Sequence, residues 1–155
     1  MVKTQGKRTD PLYQAQDILS RRDHTEAEVR QKLRRKGFTE QQTGFAIAWL
    51  HHHKLLNDKL FAERYVASTL RAKAVGRRYL AHKLKEKGVP ASLITAVLEE
   101  NMSADDEHTL AARAAAAWRR QHPQKRDDQP RLQRFLASRG FSFDAIAAAT
   151  ASADA

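Results

Sequence analysis

A chain of 155 residues with 28 Lys+Arg, 18 Asp+Glu and no cysteine has room for one ordinary domain or a few very small modules, not for a large two-domain enzyme. Without cysteine there is no disulfide framework, no iron–sulfur cluster and no thiolate zinc site, which fits a reducing cytoplasm. A formal charge of +10 favours a polyanionic partner: nucleic acid, an acidic protein surface or anionic lipid.

Residues 1–10 are polar and lack the apolar core of a signal peptide, and no later stretch approaches the ~18 apolar residues of a membrane span. A soluble cytoplasmic protein without membrane contact is expected. Asp10 followed by Pro11 reads as an N-cap and first turn, which predicts a helix over 11–22. Thr25…Glu28 reads as a capping box opening a second helix, which stops at Lys36-Gly37-Phe38. Thr39…Gln42 is another capping box and predicts a helix over 40–53.

Asn57-Asp58 starts a long helix over 59–74, followed by a helix that ends at Lys87-Gly88-Val89 and a short apolar one over 91–101. Ser103…Asp106 opens the next, over 105–121. Residues 123–129 read as a loop, after which a helix ends at Arg139-Gly140-Phe141 and a last one spans 142–153. Composition agrees with this pattern. The 26 alanines supply helix propensity but little buried area, so an all-α fold of thin helical layers is expected rather than one thick core.

The glycine-terminated helices are copies of one another. Gly37, Gly88 and Gly140 stand 51 and 52 residues apart, and each has a Leu four residues before it (Leu33, Leu84, Leu136) and another apolar residue eight before it (Val29, Leu80, Leu132). Each Gly also has a basic residue immediately before it and an apolar one after. This is the signature of a left-handed glycine C-cap with a basic residue at the negative helix end. Three helices in each of three repeats make about nine, in modules bounded at 1–56, 57–102 and 103–155. Units this small bury little alone, so neighbouring modules are expected to stack into an elongated, curved array.

Charge is segregated within that pattern. Residues 30–36 hold five basic residues and no acid, residues 71–87 hold seven against Glu86 alone, and 37–53, 88–112 and 140–155 hold no Lys or Arg. By module the balance is +5, +4 and +1. A helix-turn-helix reader would place the helix after the turn in the major groove, and here that helix carries no Arg or Lys to bond guanine edges or phosphates. The basic residues lie on the preceding helices, where they suit phosphates or acidic side chains.

No catalytic, cofactor or metal site is expected. His51-His52-His53 point about 100° apart on a helix and cannot converge on one ion, and the other histidines are isolated. Asp105-Asp106-Glu107 complements a helix N-terminus. There is no GxxxxGK[ST], GxSxG or GxGxxG. Trp49, Trp118, Tyr65 and Tyr79 sit at apolar helical positions and are assigned to the core ahead of base stacking.

Leu55-Leu56-Asn57-Asp58-Lys59-Leu60-Phe61-Ala62-Glu63-Arg64-Tyr65-Val66 resembles the L-D-D-x-x-F-A-x-x-Y-V signature of the bacterial RecX family. Gly76-Arg77-Arg78-Tyr79-Leu80, Leu84 and Lys87-Gly88-Val89 resemble that family's G-x-x-x-I/L…L…K-G-I continuation, and His24-Thr25-Glu26-Ala27-Glu28-Val29-Arg30…Leu33…Lys36-Gly37-Phe38 its H-S-E-x-E-L-R…L…K-G-F segment. The likeness covers about Leu12 to Ile146 in the family's order. Asn57 stands where the family usually has Asp, and Thr43 where the other copies carry Ile94 and Ile146.

The resemblance implies a regulator that binds the RecA–single-stranded-DNA filament in its helical groove. It would block filament extension or promote disassembly, and so suppress strand exchange, ATP hydrolysis and coprotease activity in DNA repair and the SOS response. A monomer without cofactor, with RecA and weakly bound single-stranded DNA as partners, is the expectation. Arg30, Lys32, Arg34, Arg35, Arg71, Arg77, Arg78, Lys83 and Lys87 are the residues expected to meet DNA phosphates or acidic RecA side chains, while Phe61, Tyr65, Leu80 and Leu84 hold the middle module together. The competing reading is a general or sequence-specific helical DNA-binding protein, such as a transcriptional regulator.

Overall fold

The computed structural model describes residue 6 and residues 8–151. From residue 11 onward the described residues form nine α-helices: α1 (Pro11–Arg21), α2 (Glu26–Arg35), α3 (Glu40–His52), α4 (Asp58–Ala72), α5 (Arg77–Glu86), α6 (Ala91–Asn101), α7 (Ala104–Gln121), α8 (Gln129–Ser138) and α9 (Phe143–Ala151). No strand occurs among the described residues. The all-α expectation and its three-fold helix pattern are met. In 123–129, expected as a loop, Pro123–Lys125 form a 3-10 turn, because Pro123 presets the first dihedral angle, and α8 already starts at Gln129. The last expected helix was to reach residue 153, and its end lies outside the described residues.

Capping side chains set the starts. Asp10, Thr25, Thr39, Asn57, Ser103 and Asp128 each accept a bond from a backbone N–H of the first turn they precede. The boxes at Thr39/Gln42 and Ser103/Asp106 are reciprocal. The expected box at Thr25/Glu28 is only half made, because Glu28 turns away to pair with Arg22 at 3.0 Å. Helix α4 stops two residues before the expected end: Lys73 is extended, which sends fully buried Val75 into the core.

The three glycine turns share one geometry. Gly37, Gly88 and Gly140 have φ of 91°, 85° and 80°. In each, the glycine N–H reaches back three residues and the next N–H five, onto Leu33, Leu84 and Leu136. This double bond satisfies the last carbonyls of α2, α5 and α8. Phe38, Val89 and Phe141 fold back onto apolar neighbours.

Two of these turns also join repeats. The C-terminus of α8 abuts the N-terminus of α5, where Gly76 N–H donates to Arg139 O at 2.8 Å and Arg78 N–H to Gly140 O at 3.1 Å. The C-terminus of α5 abuts α2 in the same sense, with the Thr25 hydroxyl donating to Lys87 O at 2.5 Å. Helices α8, α5 and α2 therefore stand in series, about 45 Å of helix at ~1.5 Å per residue. A carboxylate from the following repeat caps each receiving end. Asp58 accepts from Glu26 N–H at 2.9 Å, and buried Glu107 accepts from Arg77 N–H and Ser142 N–H at 3.1 and 3.2 Å.

Burial does not follow three equal layers. Repeat 1 has its own cluster, built on Ala15, Ile18, Val29, Leu33, Ile47 and Leu50. Repeats 2 and 3 share one larger cluster that includes Phe61, Leu80, Leu84, Val97, Trp118, Leu136 and Phe141. The expected stack of thin layers is thus a small core and a double one. Buried Met102 and Trp118 belong to that shared core, whereas polar groups occupy the seam between repeats 1 and 2.

Candidate functional site

The series of helices places basic side chains along one surface. On α5 and its C-cap, Tyr79, Lys83 and Lys87 recur at four-residue intervals and share a face, and on α2 Glu28, Lys32 and Arg35, four and three residues apart, share one as well. At the seam of repeats 1 and 2 the two faces enclose a groove of about 560 Å³, lined by Lys32, Arg35, Lys83 and Lys87 together with Arg22, Gln31, Tyr65, Tyr79, Glu28 and Glu86. Beyond Lys32 and Arg35, a second hollow adds Arg21 and Lys36.

Its carboxylates are already engaged. Glu28 pairs with Arg22, and Glu86 with His82 at 2.9 Å and Lys83 at 3.5 Å. Arg35 and Lys87 form no ion pair among the described residues, so positive charge is left over in the groove. Lys32 is held differently: its ammonium donates to Nε2 of buried His24 at 2.9 Å, while His24 Nδ1 donates to Arg22 O at 2.8 Å. Burial and the neighbouring Arg22 and Lys32 lower the His24 pKa, against the bond to the Arg22 carbonyl and the charge of Glu28.

Tyrosines interleave with these cations. Lys87 Nζ lies 5.3 Å from the Tyr65 ring centre; Lys73 and Lys83 lie 4.8 and 5.8 Å from that of Tyr79. Lys73 also donates to the Tyr79 hydroxyl at 2.6 Å, and this bond, with the charges of Lys73, Lys83 and Arg139, lowers the phenol's pKa. Arg139 thereby extends the basic strip to the α8–α5 junction. Tyr65 and Tyr79, assigned to the core from sequence, pack against it on one side only and are half-buried in the groove wall. Trp118 is buried as expected and Trp49 half-buried.

Of the nine basic residues expected at the site, Lys32, Arg35, Lys83 and Lys87 come together in the groove. Arg30 pairs with Glu26 at 3.0 Å and Arg34 with Glu40 at 2.5 Å, so both are partly neutralised. Arg71 is exposed at the end of α4, and Arg77 and Arg78 stand at the N-terminus of α5. Sequence reasoning left Lys73 and Arg139 out of the site and set the two tyrosines aside as core. Lys73 had a visible signal, since it lies within the dense basic stretch 71–87, and Arg139 one as the basic residue before Gly140.

No group of three or more His, Asp or Glu able to hold a metal occurs among the described residues. His51 pairs with Glu26 at 3.3 Å, and His53 stacks on Trp49 at 3.9 Å. His122, read as isolated, likewise stacks on Trp118 at 4.7 Å. No helix among the described residues is long and apolar enough to cross a membrane.

Three family models match in chain order: "RecX, first three-helix domain" over residues 13–50, "RecX, second three-helix domain" over 57–98 and "RecX, third three-helix domain" over 105–150. The chain belongs to the RecX family. A regulatory protein RecX of Chlorobaculum tepidum is 34% identical over 143 residues, covering 92% of this chain and 87% of its own. One of Cronobacter sakazakii is 30% identical, with 88% of each chain covered. The crystal structure of RecX from Lactobacillus salivarius has a TM-score of 0.85 at 23% identity, over 96% of this chain and 97% of that one, a likeness of fold. The Chlorobaculum and Cronobacter relatives are named regulatory proteins.

Proposed function

We propose that this RecX-family chain is a non-catalytic regulator of the RecA recombinase that binds the RecA–single-stranded-DNA filament along the strip formed by α8, α5 and α2. Binding there would block extension or promote disassembly, and so lower strand exchange, ATP hydrolysis and coprotease activity. The chain acts as a cytoplasmic monomer, with modules at 1–56, 57–102 and 103–155. One observation carries this reading: Lys32, Arg35, Lys83 and Lys87 converge on a groove whose carboxylates are already paired. Such a surface attracts phosphates or acidic side chains without reading sequence. Arg71, Arg77 and Arg78, with Arg30 and Arg34, would extend the contact.

A base-reading repressor is disfavoured by the bare third helices, since α3, α6 and α9 carry no Lys or Arg. The test is the single-stranded-DNA-dependent ATPase of RecA under increasing amounts of this protein. Inhibition at near-stoichiometric levels is expected, together with marked weakening of that inhibition in a Lys32→Ala/Arg35→Ala/Lys83→Ala/Lys87→Ala variant. No inhibition by the wild type would refute the reading. Single-strand binding without RecA should be salt-sensitive, and the variant should lower the log–log salt slope by about 3.

A further inference from the structure

We propose that the groove between repeats 1 and 2 is a stacking site for unpaired nucleobases, with Tyr65 and Tyr79 as platforms and Lys32, Arg35, Lys83 and Lys87 around them as phosphate contacts. The inference rests on the preceding reading for the identity of the polyanion and assigns the chemistry of its recognition. An acidic protein surface would need only the cations. Two aromatic rings in the wall of a groove this basic offer more, a flat apolar face beside each charge.

The geometry prepares both rings. Each packs one side on the shared core of repeats 2 and 3, which fixes its position, and lines the groove with the other. The Tyr79 hydroxyl is further held by Lys73 at 2.6 Å. At present the rings sit beneath ammonium groups: Lys87 at Tyr65, Lys73 and Lys83 at Tyr79. These lysines have long flexible stems. A base settling on the ring displaces the ammonium, which then meets the adjoining phosphate, so one exchange makes both contacts. Bases within a duplex are stacked on their neighbours and cannot enter a groove wall, which makes the site selective for single strands. Every base has a π-face, so binding by stacking is indifferent to sequence.

The test omits RecA and measures binding of a labelled thymidine oligonucleotide of about 20 residues against an abasic strand with the same number of phosphates. Wild type should bind the base-bearing strand roughly tenfold tighter. Tyr65→Leu/Tyr79→Leu should erase that ratio while leaving abasic binding unchanged, and Tyr65→Phe/Tyr79→Phe should restore it. Equal affinity of wild type for the two strands would overturn the proposal. So would a Leu variant that weakens both strands alike, since the rings would then only shape the groove. If the Leu variant fails to fold by circular dichroism, the wild-type ratio and the Phe variant decide. A protein that stacks bases yet leaves RecA ATPase untouched would keep this site and lose the regulatory reading, so the two fail separately.

Discussion

The carbonyl of Gly140 occupies the space that a Cβ on Gly76 would need. Backbone meets backbone here across 64 residues of chain, and the contact joins repeat 3 to repeat 2. Gly140 in turn lies against the backbone of Tyr79, so neither glycine has room for a methyl group. Gly37 shares the left-handed φ of Gly140 but faces open space.

Substitution should separate these roles. Gly37→Ala carries only the left-handed penalty, about 1 kcal/mol. Gly76→Ala has an acceptable φ of −90° but a backbone collision and should cost about 1–3 kcal/mol. Gly140→Ala combines both and should be the worst of the three. Urea unfolding of the three variants checks the order, and equal losses would contradict the junction as described.

Glu107 is buried and accepts from two backbone N–H groups on different elements, Arg77 of α5 and Ser142 before α9. Glu107→Ala leaves both donors without their acceptor and is expected to destabilise by about 2–3 kcal/mol. Glu107→Gln keeps one acceptor oxygen and should lose clearly less. Thermal melts of the two variants provide the comparison.

The Thr43 hydroxyl is fully buried in repeat 1 and has no hydrogen-bond partner among the described residues. Thr43→Val replaces it with a methyl of similar size and removes an unsatisfied polar group. A gain of about 1 kcal/mol is expected, read as a higher urea midpoint at an unchanged slope. A loss would mean that the hydroxyl is bonded in solution.

Acid should weaken the protein through His24. The folded pKa of His24 lies below its ordinary 6.5, so the folded state binds the proton less readily than the unfolded chain. Its stabilising contribution is complete above about pH 6.5 and is lost as pH falls through the lowered folded value. Asp58 acts in the opposite sense lower down. Burial raises its pKa against the bond from Glu26 N–H, so it favours the folded state as pH falls through the carboxylate range. Unfolding free energy measured from pH 7.5 to 5 should decline for wild type and more shallowly for His24→Gln.

What the sequence made legible was local. Thr39, Asn57 and Ser103 act within three residues of themselves, and Gly37, Gly88 and Gly140 mark their turns by chirality alone. The leucine stripe followed from helical spacing. What stayed hidden depends on distant partners. Glu107 reads as one of three acids in a first turn, and nothing local says that it reaches two other elements. Tyr65 and Tyr79 occupy apolar positions of their helices, yet α2 from another repeat sets the groove they line. His24 is an ordinary residue after a helix until Lys32 lies 2.9 Å from its ring. The four groove cations were found because charge segregation is itself visible along a chain. Their convergence was not, since it needs the Thr25–Lys87 junction.

The two buried clusters share no residue, and the seam between them is bridged by directional bonds such as Thr25 to Lys87, Glu26 to Asp58 and Arg64 to Asp23, the last at 2.9 Å. A double core and a small one are thus joined by polar links, part-buried at Thr25 and Glu26 and exposed at Arg64, and such links open at lower cost than a shared apolar core. The groove lies across that seam, with Lys32 on one side and Lys83 on the other. Any change of angle at the seam would alter the gap between them, so curvature and grip would be one variable. A strand seated there would act as a splint.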